Sequence, residues 1–275
     1  MIFSDNRDPI TPNAGLLKIA FNKIMRPLLL TLLITFVMLE ARAAETVKVG
    51  VSHFPPFYFI SPDGNVKGLG MDVIQALNEL QEDYEFIAVP TSPRRRHQMF
   101  AEKKYDISFF DHLAWGWDKT QVDTTDVYLS GGEVFITAKK NGRNQSYFDA
   151  ITDKSIAAIL GYHYKFADYQ TDPETLKNKF DITLTKSQEQ IVKLVLSGRV
   201  EIGIITETYL LRSFQKDANV RKALLVSDHY DQSYHFRTIV RKGIEPSADY
   251  LNQLIQAIRN DPSFAWIEDK YGIAW

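Results

Sequence analysis

The stretch VGVSHFPPFYFISPDGNVKGLGMDVIQAL, which runs from Val49 to Leu77, contains the pattern that decides the fold. It begins as a short apolar strand and continues as a loop with four aromatic residues and two prolines. It then turns at PDGN and takes on helical spacing. A strand that leads through a loop into a helix is typical of an α/β unit. Ligands of α/β sheets lie beyond the carboxyl ends of strands, so this aromatic loop either lines a binding site or fills the core.

The same alternation of strand and helix continues along the chain. Runs rich in Val, Ile and Phe predict strands at 47–51, 85–89, 106–110, 133–138, 155–160, 181–185, 201–206 and 234–240. Helical spacing separates several of them, and one helix follows Ser187, with Gln190 three residues later as in a capping box. This order predicts an α/β fold with mixed sheets flanked by helices.

The first 43 residues are expected to form a secretory signal peptide. Arg26 is followed by the apolar run PLLLTLLITFVML, and ARA lies at 41–43. A basic residue, an apolar segment of roughly 7–15 residues and an A-x-A site are the parts of such a peptide. They predict cleavage after Ala43 and a periplasmic location, with Met25 as the true start. The alternative is a permanent membrane anchor, but the apolar run is shorter than the about 20 residues that span a bilayer.

Composition excludes several classes of function. Residues 44–275 carry 27 Lys and Arg against 31 Asp and Glu, a net charge of −4 that gives no sign of nucleic-acid binding. The chain has no cysteine, which excludes disulfides, thiolate metal sites and cysteine nucleophiles. The six histidines are scattered, without H-E-x-x-H spacing. No metal and no cofactor are therefore expected.

Six motifs in order resemble the family 3 extracellular solute-binding proteins of bacteria, the polar amino-acid-binding group. The first is the aromatic-proline loop, and the second is the series Asp63-Gly64, Gly68 and Asp72 that leads into a helix. The others are MFAEKKYDISFF (99–110), QVDTTDVYLSGG (121–132), SGRVEIG (197–203) and the terminal run from RTIVRKG onwards. The resemblance covers residues 46–275, although no single motif is specific.

The resemblance implies a two-lobe periplasmic binding protein fold of type II, with a ligand cleft between the lobes. Lobe 1 is predicted at 46–138 plus 234–275, and lobe 2 at 139–233. Such proteins close around their ligand by hinge motion. The implied function is capture of a small polar or aromatic solute, as a monomer, for the membrane subunits of an ABC importer. A sensor for a membrane partner remains the main alternative, and an enzyme of dehydratase or transglycosylase type a weaker one.

The two positions at which family members hold the α-carboxylate and the α-ammonium of an amino acid carry other residues in this chain. The arginine that meets the ligand's α-carboxylate falls, counted without gaps, on Asp118, whose charge would repel a carboxylate. The aspartate that meets the α-ammonium falls on Thr206, which is kept as a neutral candidate contact. Unless a shift of the loop brings in Lys119 or Glu207, the sequence therefore argues against an ordinary α-amino acid bound in the family's usual way.

Other residues are predicted to supply the contacts in the cleft. Phe54, Phe57 and Tyr58 lie on the aromatic loop, with Phe59 assigned to the core. Rings on a proline-stiffened loop offer a flat face to a ligand. In TSPRRRHQMF (91–100), Arg95 is predicted to point into the cleft, and Arg94 and Arg96 toward solvent.

Two further segments are predicted to reach the ligand. FFDHLAWGWD (109–118) contributes Asp111 and Trp115, and a tryptophan there would suit cations, sugars or aromatic rings. The alternative is that its indoles pack between helix and sheet. GYHYKF (161–166) contributes Tyr162 and His163 at the cleft side of lobe 2. Asp111, Glu133, Glu201 and Glu207 are the acids by which an enzyme could act as a general acid or base.

Overall fold

The computed structural model describes residues 43–273. The predicted signal peptide and start site lie outside the described residues. Strands occupy β1 (Glu45–Val51), β2 (Phe59–Ile60), β3 (Val66–Lys67), β4 (Tyr84–Pro90), β5 (Ile107–Asp111), β6 (Val122–Thr124), β7 (Leu129–Ala138), β8 (Ile156–Ile159), β9 (Ile182–Thr185), β10 (Ile202–Thr206) and β11 (Leu224–Arg241).

Helices alternate with these strands. They are α1 (Leu69–Leu80), α2 (Arg96–Ala101), α3 (Pro173–Lys179), α4 (Gln188–Leu196), α5 (Glu207–Lys216), α6 (Ala218–Ala223), α7 (Ala248–Asn260) and α8 (Ala265–Tyr271). Short 3₁₀ turns lie at Gln145–Phe148, Ile151–Asp153, Lys165–Ala167 and Pro262–Phe264. None of the helices in the described part of the chain is long and apolar enough to cross a membrane.

The strands form a mixed sheet with the order β4-β1-β5-β11-β7-β10-β8-β9, and β6 also pairs with β11. Strands β1, β4 and β5 are parallel, as are β8, β9 and β10. The long strand β11 runs antiparallel to both β5 and β7 and changes register three times along its length. Strand β11 therefore connects the two parallel groups, and this arrangement confirms the predicted α/β class.

Separate hydrophobic cores form on the two sides of this connection. One side packs β1, α1, α7 and the aromatic loop around residues such as Val49, Leu77 and Leu251. The other side packs the faces of β8 and β10 with α4, around residues such as Ile156 and Ile204. Strand β7, predicted for lobe 1, packs its 134–136 segment into this second side. The described residues from Ala44 onward form one compact unit, so the lobe limits stay a prediction.

Candidate functional site

A cavity of ≈ 50 Å³ lies where the two sides of the sheet meet. Its walls follow the carboxyl ends of parallel strands: the loop after β1, the end of β5 and the turn after β8. The lining residues are Gly50, Ser52, Phe54, Tyr58, Pro93, Arg96, Ser108, Phe109, Phe110, Asp111, Trp115, Glu133, Gly161, Tyr162 and His163. A space of this size holds a few water molecules. The walls would therefore have to separate to admit a solute.

Three aromatic side chains form the apolar wall of the cavity. The Phe54 ring meets the Trp115 ring edge to face at 5.8 Å between centroids, and the Tyr162 ring at 5.7 Å. The Tyr162 hydroxyl also donates a hydrogen bond to the His53 carbonyl oxygen, at 3.1 Å. Contacts across the cleft thus hold its two sides together.

A buried ion pair forms the polar side. Arg96 Nη1 donates to both carboxylate oxygens of Asp111, at 3.0 and 2.9 Å, and Nη2 donates to the Trp115 carbonyl oxygen at 2.8 Å. The guanidinium carbon lies 5.7 Å from the Trp115 ring centroid and 5.4 Å from that of Trp117. Its charge is therefore neutralised and its position fixed, while the guanidinium still reaches the cavity.

Asp111 accepts further hydrogen bonds besides those from Arg96. Its Oδ1 also accepts from Trp117 Nε1 and the His112 backbone N–H, both at 2.8 Å, and its Oδ2 accepts from Ser108 Oγ at 3.0 Å. Phe110, directly before it, has a φ of 55°, which is rare for a bulky residue. Such backbone strain is found where a structure holds a functional group in place.

Glu133 lines the cavity from β7 and is 2 % exposed. Gln232 Nε2 donates to its Oε2 at 2.8 Å. The Tyr234 hydroxyl lies beside this carboxylate but makes no hydrogen bond of ordinary geometry. Burial, together with the nearby Asp231 carboxylate, raises the pKa of Glu133 to about 8. This side chain is therefore mostly protonated at neutral pH.

The same part of β11 holds the turn that follows β8. The Asp231 carboxylate accepts the backbone N–H groups of Lys165 and Phe166, at 2.8 and 2.9 Å. Gln232 Nε2 also donates to the His163 carbonyl oxygen, while its Oε1 accepts from Trp115 Nε1 at 3.1 Å. Gln232 thus connects Trp115, Glu133 and the 161–166 turn in a single network.

His163 lines the cavity, and its ring meets that of His97 edge to face, with the centroids 5.9 Å apart. Burial and the Arg96 guanidinium lower the pKa of His97 to about 4 and that of His163 to about 3. Both rings are neutral at physiological pH. Among the described residues, no group of three or more His, Asp and Glu side chains is placed to hold a metal ion.

The structure brings six of the nine predicted site residues to this cavity, namely Phe54, Tyr58, Asp111, Trp115, Tyr162 and His163. Their contact with a solute stays a prediction. Phe57 lies outside the cavity wall because its ring stacks on Phe110 inside the core, at 4.8 Å. Thr206 also lies outside it, since Gln188 Nε2 donates to its hydroxyl at 2.9 Å. Phe59, assigned to the core, is only half-buried on β2.

The structure shows that the predicted orientations of two of the three adjacent arginines are wrong. Arg95 is exposed at the N-cap of α2 and does not line the cavity, whereas Arg96, expected in solvent, is buried there. The start of α2 turns only one of the three side chains inward, and Asp111 stabilises it there. Glu133, which the sequence offered only among four acids that an enzyme could use, lines the cavity as well.

The sheet thus carries two separate cores, with the cavity at the strand ends between them. Residues 47–274 match the model of the bacterial extracellular solute-binding proteins, family 3, and the chain belongs to this family. An L-arginine-binding protein of Pseudomonas aeruginosa is 24% identical over 240 residues, which cover 83% of this chain and 88% of that protein.

Solved structures share the two-lobe fold. One is a substrate-binding protein of an ABC uptake transporter from Streptococcus pneumoniae with bound histidine. It has a TM-score of 0.65 at 19% identity, and the match covers 83% of this chain and 93% of that chain. Another is an ancestral amino-acid-binding protein, a precursor of cyclohexadienyl dehydratase. It has a TM-score of 0.62 at 21% identity, and the match covers 86% of this chain and 99% of that chain. These likenesses confirm the predicted two-lobe fold, and the family match over residues 47–274 confirms the predicted family.

Proposed function

We propose that this protein captures a small polar or aromatic solute in the cleft between its lobes. The observation that supports this most is that one cavity is lined both by the rings of Phe54, Trp115 and Tyr162 and by the buried pair Arg96–Asp111. Rings supply contact area at a low cost in conformational entropy. The pair supplies fixed N–H groups for an oxygen of the solute. The amino-acid ligands in the names of relatives favour a solute of similar size.

Closure of the lobes is the proposed way of holding the solute. The cleft is already closed in the structure by the Tyr162–His53 and Trp115–Gln232 hydrogen bonds, and the remaining space is small. A solute must therefore open these contacts and replace them with its own. A ligand shifts such an equilibrium only by binding one arrangement better than the other.

An ABC importer is the proposed partner, and the periplasm, after cleavage near Ala43, is the proposed location. Both proposals rest on the family and on the signal-like sequence at 26–43. The protein would deliver the solute as a monomer, without a cofactor. A membrane sensor is the alternative partner. Deleting the gene for this protein should abolish uptake of the solute if the partner is an importer, and should leave uptake intact if the partner is a sensor.

An enzyme is the second candidate, and Glu133 is the observation that favours it. A carboxyl group with its pKa raised to about 8 in an enclosed site has the properties of a general acid. The known precursor relationship of one structural neighbour to a dehydratase is consistent with this candidate. Binding without conversion remains the proposed function, and recovery of the solute decides between the two.

Thermal unfolding of the purified protein against amino acids, peptides, organic acids, amines and sugars tests the proposal. A solute at 100 times its dissociation constant is expected to add about 2.7 kcal/mol to the free energy of unfolding, which raises Tm by a few degrees. Chromatography should then recover that solute unchanged. Conversion of the solute would support the enzyme, and a panel without any stabilising compound would contradict solute binding.

Replacing Trp115 by alanine is expected to abolish most of this stabilisation. Large buried aromatic side chains at the centre of a binding site contribute about 2 kcal/mol or more to affinity, which is roughly a 30-fold loss on truncation. Titration calorimetry with the stabilising solute measures it. Trp266→Ala is the matched control, because Trp266 lies on α8, outside the cavity, and is 39 % exposed. Equal losses in both variants would contradict the assigned site.

A further inference from the structure

We propose that the solute is a small organic cation, a primary amine or a guanidinium, whose charged nitrogen lies against Glu133. This inference rests on the solute-binding function proposed above and names the chemical class of its solute. It follows from the charges that surround the cavity, from the position of one buried carboxylate and from the aromatic wall opposite.

The positive charge in the cavity is already neutralised. Asp111 accepts two hydrogen bonds from Arg96, and its side chain is 4 % exposed, so the pair forms a fixed neutral unit. His97 and His163 do not add charge, because burial and Arg96 lower the pKa of both rings well below neutral. A solute carboxylate would therefore meet no net positive charge in this cleft, and desolvating it would be costly.

The Glu133 carboxyl group lacks such a partner. Within residues 43–273, no lysine or arginine forms an ion pair with Glu133, although its side chain is almost completely buried. The groups that face it are a second acid and neutral polar side chains: Asp231, Gln232 and Tyr234 on β11, and Tyr162 and Tyr164 after β8. A bound cation would therefore supply the positive partner that the Glu133 carboxyl group lacks.

The geometry of β7 and β10 places Glu133 where a ligand can meet it. Glu133 pairs directly with Thr206 in the antiparallel ladder, so the two side chains lie on the same face of the sheet. Thr206 is neutral and bonded to Gln188, which leaves Glu133 as the acid at this point of the cleft wall.

The aromatic wall suits the same class of solute. Phe54, Trp115 and Tyr162 line the cavity together with Glu133. The faces of aromatic rings attract ammonium and guanidinium groups, most strongly when water is excluded. An amine with an apolar or aromatic body could therefore place its charge near Glu133 and its body against these rings.

Binding of a cation should release a proton. Because burial raises the pKa of Glu133 to about 8, the free protein is largely protonated there at pH 7, and a cation favours the ionised form. The proton goes to the buffer. The affinity for the cation should consequently rise by close to tenfold per pH unit between pH 6 and pH 7.

Titration calorimetry with matched compounds tests the inference. The probes are tyramine, L-tyrosine and hydroxyphenylpropionate, which share a ring and differ in charge, and the pair agmatine and L-arginine. Each is titrated at pH 7 in two buffers of different ionisation enthalpy. We expect at least one amine to bind tenfold or more tightly than its carboxylated partner, with release of close to one proton.

Glu133→Gln removes the charge and keeps the shape of the side chain. We expect the amine to bind at least tenfold more weakly to this variant, without proton release, while Glu174→Gln on the exposed face of α3 binds as the wild type does. Circular dichroism confirms that both variants are folded. Tighter binding of an amino acid or an acid than of its matched amine would overturn the inference and leave solute binding intact. Binding of no compound from any class would overturn both.

Discussion

Replacing Asp111 by alanine is expected to lower the free energy of unfolding by about 3–5 kcal/mol, because it leaves the buried Arg96 guanidinium without its counter-charge. Arg96 is 9 % exposed, and Asp111 is its partner through two hydrogen bonds. The change also leaves Trp117 Nε1 and Ser108 Oγ without their acceptor. Urea unfolding followed by circular dichroism measures the loss.

Two controls separate this effect from the loss of any carboxylate. Glu189→Ala breaks the exposed pair with Lys193 and is expected to change stability by about 0.5 kcal/mol or less. The double variant Arg96→Met with Asp111→Leu removes both charges and should recover much of the stability lost in Asp111→Ala. A loss under about 1 kcal/mol in Asp111→Ala would contradict the buried pair.

Raising the pH from 6.5 to 8 is expected to destabilise the wild-type protein through Glu133. The native carboxyl holds its proton up to a pKa of about 8, whereas the unfolded chain loses it near the usual glutamate pKa of 4.5. The native state thus binds more protons, and stability falls as the pH rises through this window. The expected loss is about 1–2 kcal/mol, from a slope of at most about 1.4 kcal/mol per pH unit.

Other titrating groups do not reproduce this trend. His97 and His163 have lowered pKa values, so stability rises as the unfolded imidazoles lose their protons on passing the usual pKa of 6.5, and these two groups oppose the Glu133 trend. Urea unfolding at four pH values between 6.5 and 8 measures the trend. Glu133→Gln should remove most of it, and Glu174→Gln should retain it. A wild-type trend equal to that of Glu133→Gln over this range would show that Glu133 is already ionised at pH 6.5.

Sequence patterns predicted the fold well because they depend on local regularities. Each predicted strand is present, and the Ser187 side chain accepts the Gln190 backbone N–H at the start of α4 as the capping pattern indicated. The position of the cleft followed from the rule that strand ends form binding edges. The aromatic loop has both of its expected roles, with Phe54 in the cavity wall and Phe57 in the core.

The orientation of individual side chains could not be read from the sequence. Arg94, Arg95 and Arg96 are chemically identical, and only the turn at the start of α2 selects Arg96 for burial. Counting without gaps placed a ligand position at Asp118, but this residue is exposed and bonds Thr120 in a surface turn.

The environment of Glu133 could not be predicted from the sequence either. Its position opposite Thr206 depends on the register of β7 and β10, which is a tertiary property. The raised pKa depends on Asp231, almost a hundred residues later in the chain. The sequence offered Glu133 as one of four acids that an enzyme could use, but neither its neighbours nor its burial were visible there.

Hydrogen–deuterium exchange with and without a stabilising solute tests most directly whether the cleft is the binding site. We expect slower exchange at the backbone amides of 53–59 and 161–166, which form opposite walls of the cavity, and no change in α6, which lies outside it. Slower exchange in other parts of the protein, with these two segments unchanged, would place the solute elsewhere and contradict the account.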